Sequence, residues 1–128
     1  MSGVSNMKAR DVALRLKKFE AEEKSKKVSD LEQMIAEFQQ MADDLELQVQ
    51  AEEDRTGVKD ASHFAYSTFA RSAGQRRDNL HASINDLKDR LALAVVERDE
   101  AMAQIGEADM LQNRVETGSG RTRPAHAR

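Results

Sequence analysis

Cysteine and tryptophan are absent from the 128 residues, proline occurs once, and the aromatic set is one tyrosine and four phenylalanines. Without cysteine there is no disulfide and no thiolate metal site, a usage that fits a reducing compartment. So few aromatics leave too little bulk for an ordinary globular core, and a chain of this composition is not β-rich. No apolar run approaches the roughly 20 residues that span a bilayer, and Met1 to Arg10 has no apolar signal-peptide stretch, so the expectation is a cytoplasmic protein with no direct membrane insertion. What is present is charge, 34% of the residues, set among Ala, Leu and Gln. That is the composition of long helices and coiled coils, and the length allows one domain at most.

The net charge of −3 hides an uneven distribution. Lys8 to Lys27 holds eight basic residues against Asp11, Glu20, Glu22 and Glu23, whereas Val28 to Asp60 holds ten acidic ones against Arg55 and Lys59. Further on the charges nearly balance, with a local basic cluster at Arg71, Arg76 and Arg77. The acidic segment interrupts any continuous phosphate-binding stripe, which argues against a nucleic-acid partner.

The clearest periodic signal is Val28, Leu31, Ile35, Phe38, Ala42, Leu45, Val49, spaced alternately three and four apart, with Met34 and Met41 widening the stripe. This is a heptad seam. Upstream the rhythm runs loosely through Val12, Leu14, Leu16 and Phe19, then nearly fails at Glu20 to Lys27, where only Ala21 is apolar. That stretch is expected to be solvated and locally less stable. A second seam reads Leu80, Ile84, Leu87, Leu91, Ala94, Arg98, Ala101, Ile105, with Val95 and Met102 beside it.

Between the seams lies Arg55-Thr-Gly-Val-Lys-Asp-Ala-Ser62, with Gly57 placed to end a helix and Asp60, Ser62 or Ser67 to cap the next. If the chain reverses near Val58, then Ile35 faces Ile84, Leu31 faces Leu87, Val28 faces Leu91 and Leu14 faces Ile105. The fold class predicted is therefore all-α: a long antiparallel two-helix coiled-coil hairpin over 8–114, with helices at 8–55 and 63–114 and a loop at 56–62. Residues 1–7 read as a disordered extension and 115–128 as a disordered basic tail. Two helices of about 45 residues, at about 1.5 Å per residue, predict a rod on the order of 70 Å. An extended parallel dimer is the rival that heptads alone permit, but Gly57 and the caps favour the hairpin, monomeric when free.

No enzyme is expected. His63, His81 and His126 lack ligand spacing, so no metal is assigned. The pairs Asp43 with Asp44 and Asp86 with Asp89 sit on helical surface without a pocket to perturb them. There is no phosphate loop and no nucleophile motif, and no cofactor is implied. Two features exceed what the seam requires. Phe64, Tyr66 and Phe69 concentrate at the loop, either as a docking surface or as a small local core capping the helices. In Gln75-Arg-Arg-Asp-Asn-Leu80, Arg77 falls in line with the seam, where pairing with Asp43, Asp44 or Glu46 is the plain expectation and partner binding the alternative.

The segments Met7-Lys-Ala-Arg-Asp, Leu14-Arg-Leu-Lys-Lys-Phe-Glu20, Met34-Ile-Ala-Glu-Phe38, Ala65-Tyr-Ser-Thr-Phe-Ala70 and Gln75-Arg-Arg-Asp-Asn-Leu80 together resemble the alphaproteobacterial branch of the flagellar export protein FliJ, over roughly Met7 to Ala108. The weight rests on the last two, which periodicity does not demand. Family members often carry proline where this chain has Ser67, and the resemblance suggests Met7 as the natural start. It implies a cytoplasmic antiparallel coiled coil of the flagellar type III export apparatus, peripherally associated with the inner membrane and serving motility. The end bearing the termini would enter the hexameric export ATPase, the rod would link that ring to the export gate membrane protein, and export chaperones would be further partners. Carried onto these residues, Arg10, Arg15, Lys17 and Lys18 become the candidates for the ATPase ring, and Phe64, Tyr66 and Phe69 with Arg76 and Arg77 the candidates for the gate. The alternative, from a different class, is a scaffolding or nucleic-acid-associated coiled coil using the basic cluster and Arg121 to Arg128.

Overall fold

A computed structural model describes residues 2–126, with side chains described for 8–115. It is all-α, with α1 spanning Ser2–Thr56 and α2 spanning Thr68–His126, and no strand among the described residues. The bounds of the two helices take in 2–7 and 115–126, the stretches read above as extension and tail; Met1, Ala127 and Arg128 lie outside the described residues. The chain divides into two compact units, residues 29–93 and residues 1–28 with 94–128.

The first of these, 29–93, is a helical hairpin. Leu31, Ala42, Leu45 and Val49 of α1 are buried, as are Ala70, Ala73, Ile84 and Leu87 of α2. Leu45, Val49 and Ala73 form one cluster, with Leu80 packed against it. The heptad on α2 therefore begins earlier than Leu80: counting back by threes and fours it passes through Arg77, Ala73 and Ala70 to Tyr66. Two alanines in that run let the helix backbones approach closely. Met34 and Met41, expected to widen the seam, stay exposed.

Why the chain turns where it does is local chemistry. Gly57 has φ +76° and its N–H donates to the Glu53 carbonyl at 2.8 Å, ending α1 in the left-handed conformation that glycine adopts without steric cost. A Cβ at Gly57 would meet nothing within 4 Å, so the requirement is conformational and not spatial. Val58 N–H then donates to Thr56 Oγ1 at 3.2 Å. The restart of α2 falls at Ser67, whose Oγ accepts from Ala70 N–H at 3.2 Å while its carbonyl accepts from Arg71 N–H at 3.0 Å. Ser67 is thus the N-cap, and the connection runs 57–67 in place of the expected 56–62. Asp60, another cap candidate, instead folds the loop on itself by accepting from Ser62 N–H at 2.9 Å.

In the second unit the buried positions are Ala21, Val28, Ala94 and Ala101, with Leu14 and Ile105 half-buried. The seam on α1 continues the same heptad through Leu14, Lys17, Ala21, Lys24 and Val28. The stretch Glu20 to Lys27 is solvated as expected, with Glu20, Glu22, Glu23, Lys26 and Lys27 exposed, yet the heptad runs through it: Ala21 is buried, and Lys24 meets Glu97 across the seam at 3.5 Å. Val12, Leu16 and Phe19, read above as part of this rhythm, are exposed. They occupy different heptad positions, and their spacing merged with Leu14 only because two apolar stripes interleave along the sequence.

Candidate functional site

The loop of the 29–93 unit is pinned from several sides. Tyr66 is only 8% exposed and its hydroxyl donates to Glu53 Oε2 at 2.7 Å. Ser67 Oγ donates to Glu52 Oε1 at 2.9 Å, so adjacent loop residues hold adjacent carboxylates of α1. Arg55 bridges to Glu52 along α1, and the Arg71 guanidinium lies 5.4 Å over the Tyr66 ring. Two tight turns follow one another, His63 N–H to the Asp60 carbonyl and Tyr66 N–H to the His63 carbonyl, both 3.0 Å. Inside the second, Ala65 N–H donates to His63 Nδ1 at 3.0 Å, which makes that nitrogen the acceptor of the ring.

The three aromatics separate in role. Tyr66 is the local core, whereas Phe64 is 95% exposed and Phe69 54%. The His63 ring stacks on Phe64 at 4.7 Å between centroids, so the exposed phenyl is flanked on one face. A rigid loop carrying a bare phenyl ring is a hydrophobic anchor whose ordering cost has been met in advance. Neither burial nor hydrogen bonding within the chain requires Phe64.

Arg77 sits at the seam, as its spacing predicts, and of the three candidate partners it takes Glu46, with Nη1 to Oε2 at 2.6 Å; Asp78 is held at 2.9 Å. The hydrogen bond from Arg77 holds the Glu46 carboxyl below the usual carboxylate range. A depressed carboxylate stabilises the fold above its unfolded pKa, and the contribution disappears as pH falls through its folded pKa. Glu46→Gln should therefore flatten the acid limb of the stability curve, measured by urea titration from neutral pH to below the carboxylate range; an unchanged acid limb would show that the pair is energetically silent. Arg76 is not paired like its neighbour: it lines a shallow groove of about 420 Å³ with Met41, Asp44, Leu45, Gln48, Asn79 and Leu80.

In the other unit, the four basic candidates do not share a face. Arg10 and Lys17 are one heptad apart on the seam side and line an apolar groove of about 370 Å³ with Ala13, Leu14, Ala108, Leu111, Gln112 and Val115. Arg15 is tied to Asp11 at 2.9 Å, one turn back on its own helix, and Lys18 is exposed. Only the first two therefore line the groove, while Arg15 and Lys18 neighbour each other on another face of α1.

What sequence reasoning missed is the pair of carboxylates Glu52 and Glu53, which Ser67 and Tyr66 hold across the loop. Their helix pattern reads as a solvated acidic face, and only the facing residues of α2 and the loop give them work. The signal available was position: both lie at the C-terminal end of α1, where negative charge opposes the helix dipole and calls for compensation. Among the described residues no group of three or more His, Asp or Glu is disposed to hold a metal ion, and no helix is long and apolar enough to cross a membrane. Comparison with protein-family models, with curated proteins and with solved structures returns no match.

Proposed function

We propose that this chain is a non-enzymatic component of the flagellar protein export apparatus, a helical connector that touches the export ATPase ring through its basic unit and the export gate through its loop. The observation that carries this reading is Phe64, almost wholly exposed on a loop that Tyr66, Ser67, Asp60 and His63 hold in one conformation. It supports a docking role because a bare aromatic on a fixed support is how interfaces concentrate binding energy. The segment it opens, Phe64-Ala-Tyr-Ser-Thr-Phe-Ala70, is also one of the two on which the resemblance to FliJ rests. Tyr66 anchors the loop to Glu53, and the gate contact passes to Phe64 and Phe69, with Arg76 two turns further along α2 from Phe69.

For the basic unit, Arg10 and Lys17 flank an apolar groove, which suits a partner surface that is apolar at its centre and acidic at its edge. The chain would do no chemistry and would transmit nucleotide-driven rearrangements of the ring to the gate, with export chaperones as further clients. The test is a paired capture experiment with purified export ATPase and gate protein. Phe64→Ala with Phe69→Ala should lower gate binding at least tenfold and leave ATPase binding intact. Arg10→Ala with Lys17→Ala should do the reverse, and the ATPase contact of the unchanged chain should weaken with salt. Helical content should stay constant throughout by circular dichroism. Undiminished binding by both double variants, with normal motility, would reject the proposal.

A further inference from the structure

Ala9, Val12, Leu16 and Phe19 form a second apolar stripe on α1, spaced three, four, three. It lies on the face of the helix away from the seam of Leu14, Lys17 and Ala21. Val12, Leu16 and Phe19 are each more than half exposed, and Ala9 is exposed as well. Scattered single apolar residues on a surface need no explanation, but four in heptad register over three turns form a helix-receiving seam. Nothing within the described chain covers it.

Charge around the stripe says what does. Lys8 leads it and Glu20, Glu22 and Glu23 follow it directly, ahead of Lys24, Lys26 and Lys27, so the positions next to the stripe are basic before it and acidic just after it. A helix laid antiparallel on this face needs the opposite order, acidic where α1 is basic, and α1 itself, turned round, has that order. With the two-fold axis near Leu14, Ala9 stacks on Phe19 and Val12 on Leu16, small against large and medium against medium. Lys8 then faces Glu22 twice, once at each end. Arg15, which meets its own copy near the axis, already has its charge compensated by Asp11 at 2.9 Å. A parallel pairing packs worse, because it sets Phe19 on Phe19 in one layer and Ala9 on Ala9 in another, overfilling the first and leaving the second nearly empty.

We propose that this stripe is a self-association surface, on which two copies of the chain pair antiparallel through α1 in an isologous contact. The contact is small, at the low end of specific interfaces, so the dimer is reversible and forms with rising concentration. Apolar burial supplies the affinity and the flanking charges set the direction, since exposed ion pairs add little by themselves. The surface is independent of the loop and of the groove between α1 and α2, so it stands whether or not the export reading does.

The absence of cysteine makes the test direct. Sedimentation of the full chain should show the 14.3 kDa species giving way to twice that mass as concentration rises. Leu16→Glu with Phe19→Glu should hold it monomeric at every concentration with unchanged helicity, because both side chains are exposed and glutamate is a good helix former. For direction, Ala9→Cys mixed with Phe19→Cys should give an oxidised heterodimer, while Ala9→Cys alone should not, its copies being about 15 Å apart along the axis. A chain that stays monomeric to millimolar concentration would assign the stripe to a different protein and overturn the proposal. So would a dimer that survives the double glutamate variant, or crosslinking of Ala9→Cys with itself.

Discussion

Leu45→Ala should lower the unfolding free energy by about 2–4 kcal/mol, the range for a buried leucine whose neighbours cannot close the cavity. Leu45 is buried against Val49, Ala73 and Leu80, and Ala73 has no atoms to spare for the space left behind. In a chain without tryptophan and with so few aromatics, that loss is a large share of the total. Leu47→Ala, two residues on in the same helix and 64% exposed, is the control and should change stability by less than about 0.5 kcal/mol. Both substitutions swap the same side chains in the same helix, so their difference isolates burial from helix propensity. Urea unfolding followed by circular dichroism reads it as a lower midpoint for Leu45→Ala; equal midpoints would mean that the seam does not bury Leu45.

The second large effect belongs to Tyr66. Tyr66→Ala removes the ring from the seam and the donor from Glu53 together, and should cost about 3–5 kcal/mol, comparable to losing a buried phenylalanine. Tyr66→Phe keeps the ring and should cost about 1–2 kcal/mol, the worth of a hydrogen bond to a charged acceptor. The hydrogen bond to Glu53, then burial, then the charge of Glu53, raise the phenol above its ordinary value. A raised pKa stabilises the fold fully below the unfolded value, and that contribution is lost as pH rises through the folded one. Tyr66 is the single tyrosine, so the near-ultraviolet phenolate band reports it alone. Its midpoint should lie above the ordinary phenol value and move back toward it in Glu53→Gln; an unshifted native midpoint would remove Glu53 from the account of the loop.

Much of the hairpin was legible in the residues. Heptad spacing from Val28 to Val49 and from Leu80 to Ile105 named the buried faces, because which positions share a face depends only on the pitch of the helix. Gly57 marked the end of α1, because a left-handed residue is nearly always glycine. Arg77 stood out at a seam position, and Glu46 was among the partners that its register allowed.

The start of α2 was less legible. Ser62 and Ser67 are both competent caps, and the choice fell to Ser67 because Tyr66, still in the loop, extends the seam of α2 by one heptad and carries its hydroxyl to Glu53. Likewise Leu14, Val12, Leu16 and Phe19 read as one loose rhythm until burial sorted them into a covered seam and an exposed stripe.

Helix content, the two seams and the point of reversal were thus written into the chain, since each follows from interactions between residues a few positions apart. Which carboxylate of α1 meets which donor, which aromatic is buried and which is bare, and which apolar stripe stays open were decided by folding. Those outcomes depend on the register between two helices far apart in sequence, set by the geometry of the loop, and a shift of one residue would have paired every one of them differently.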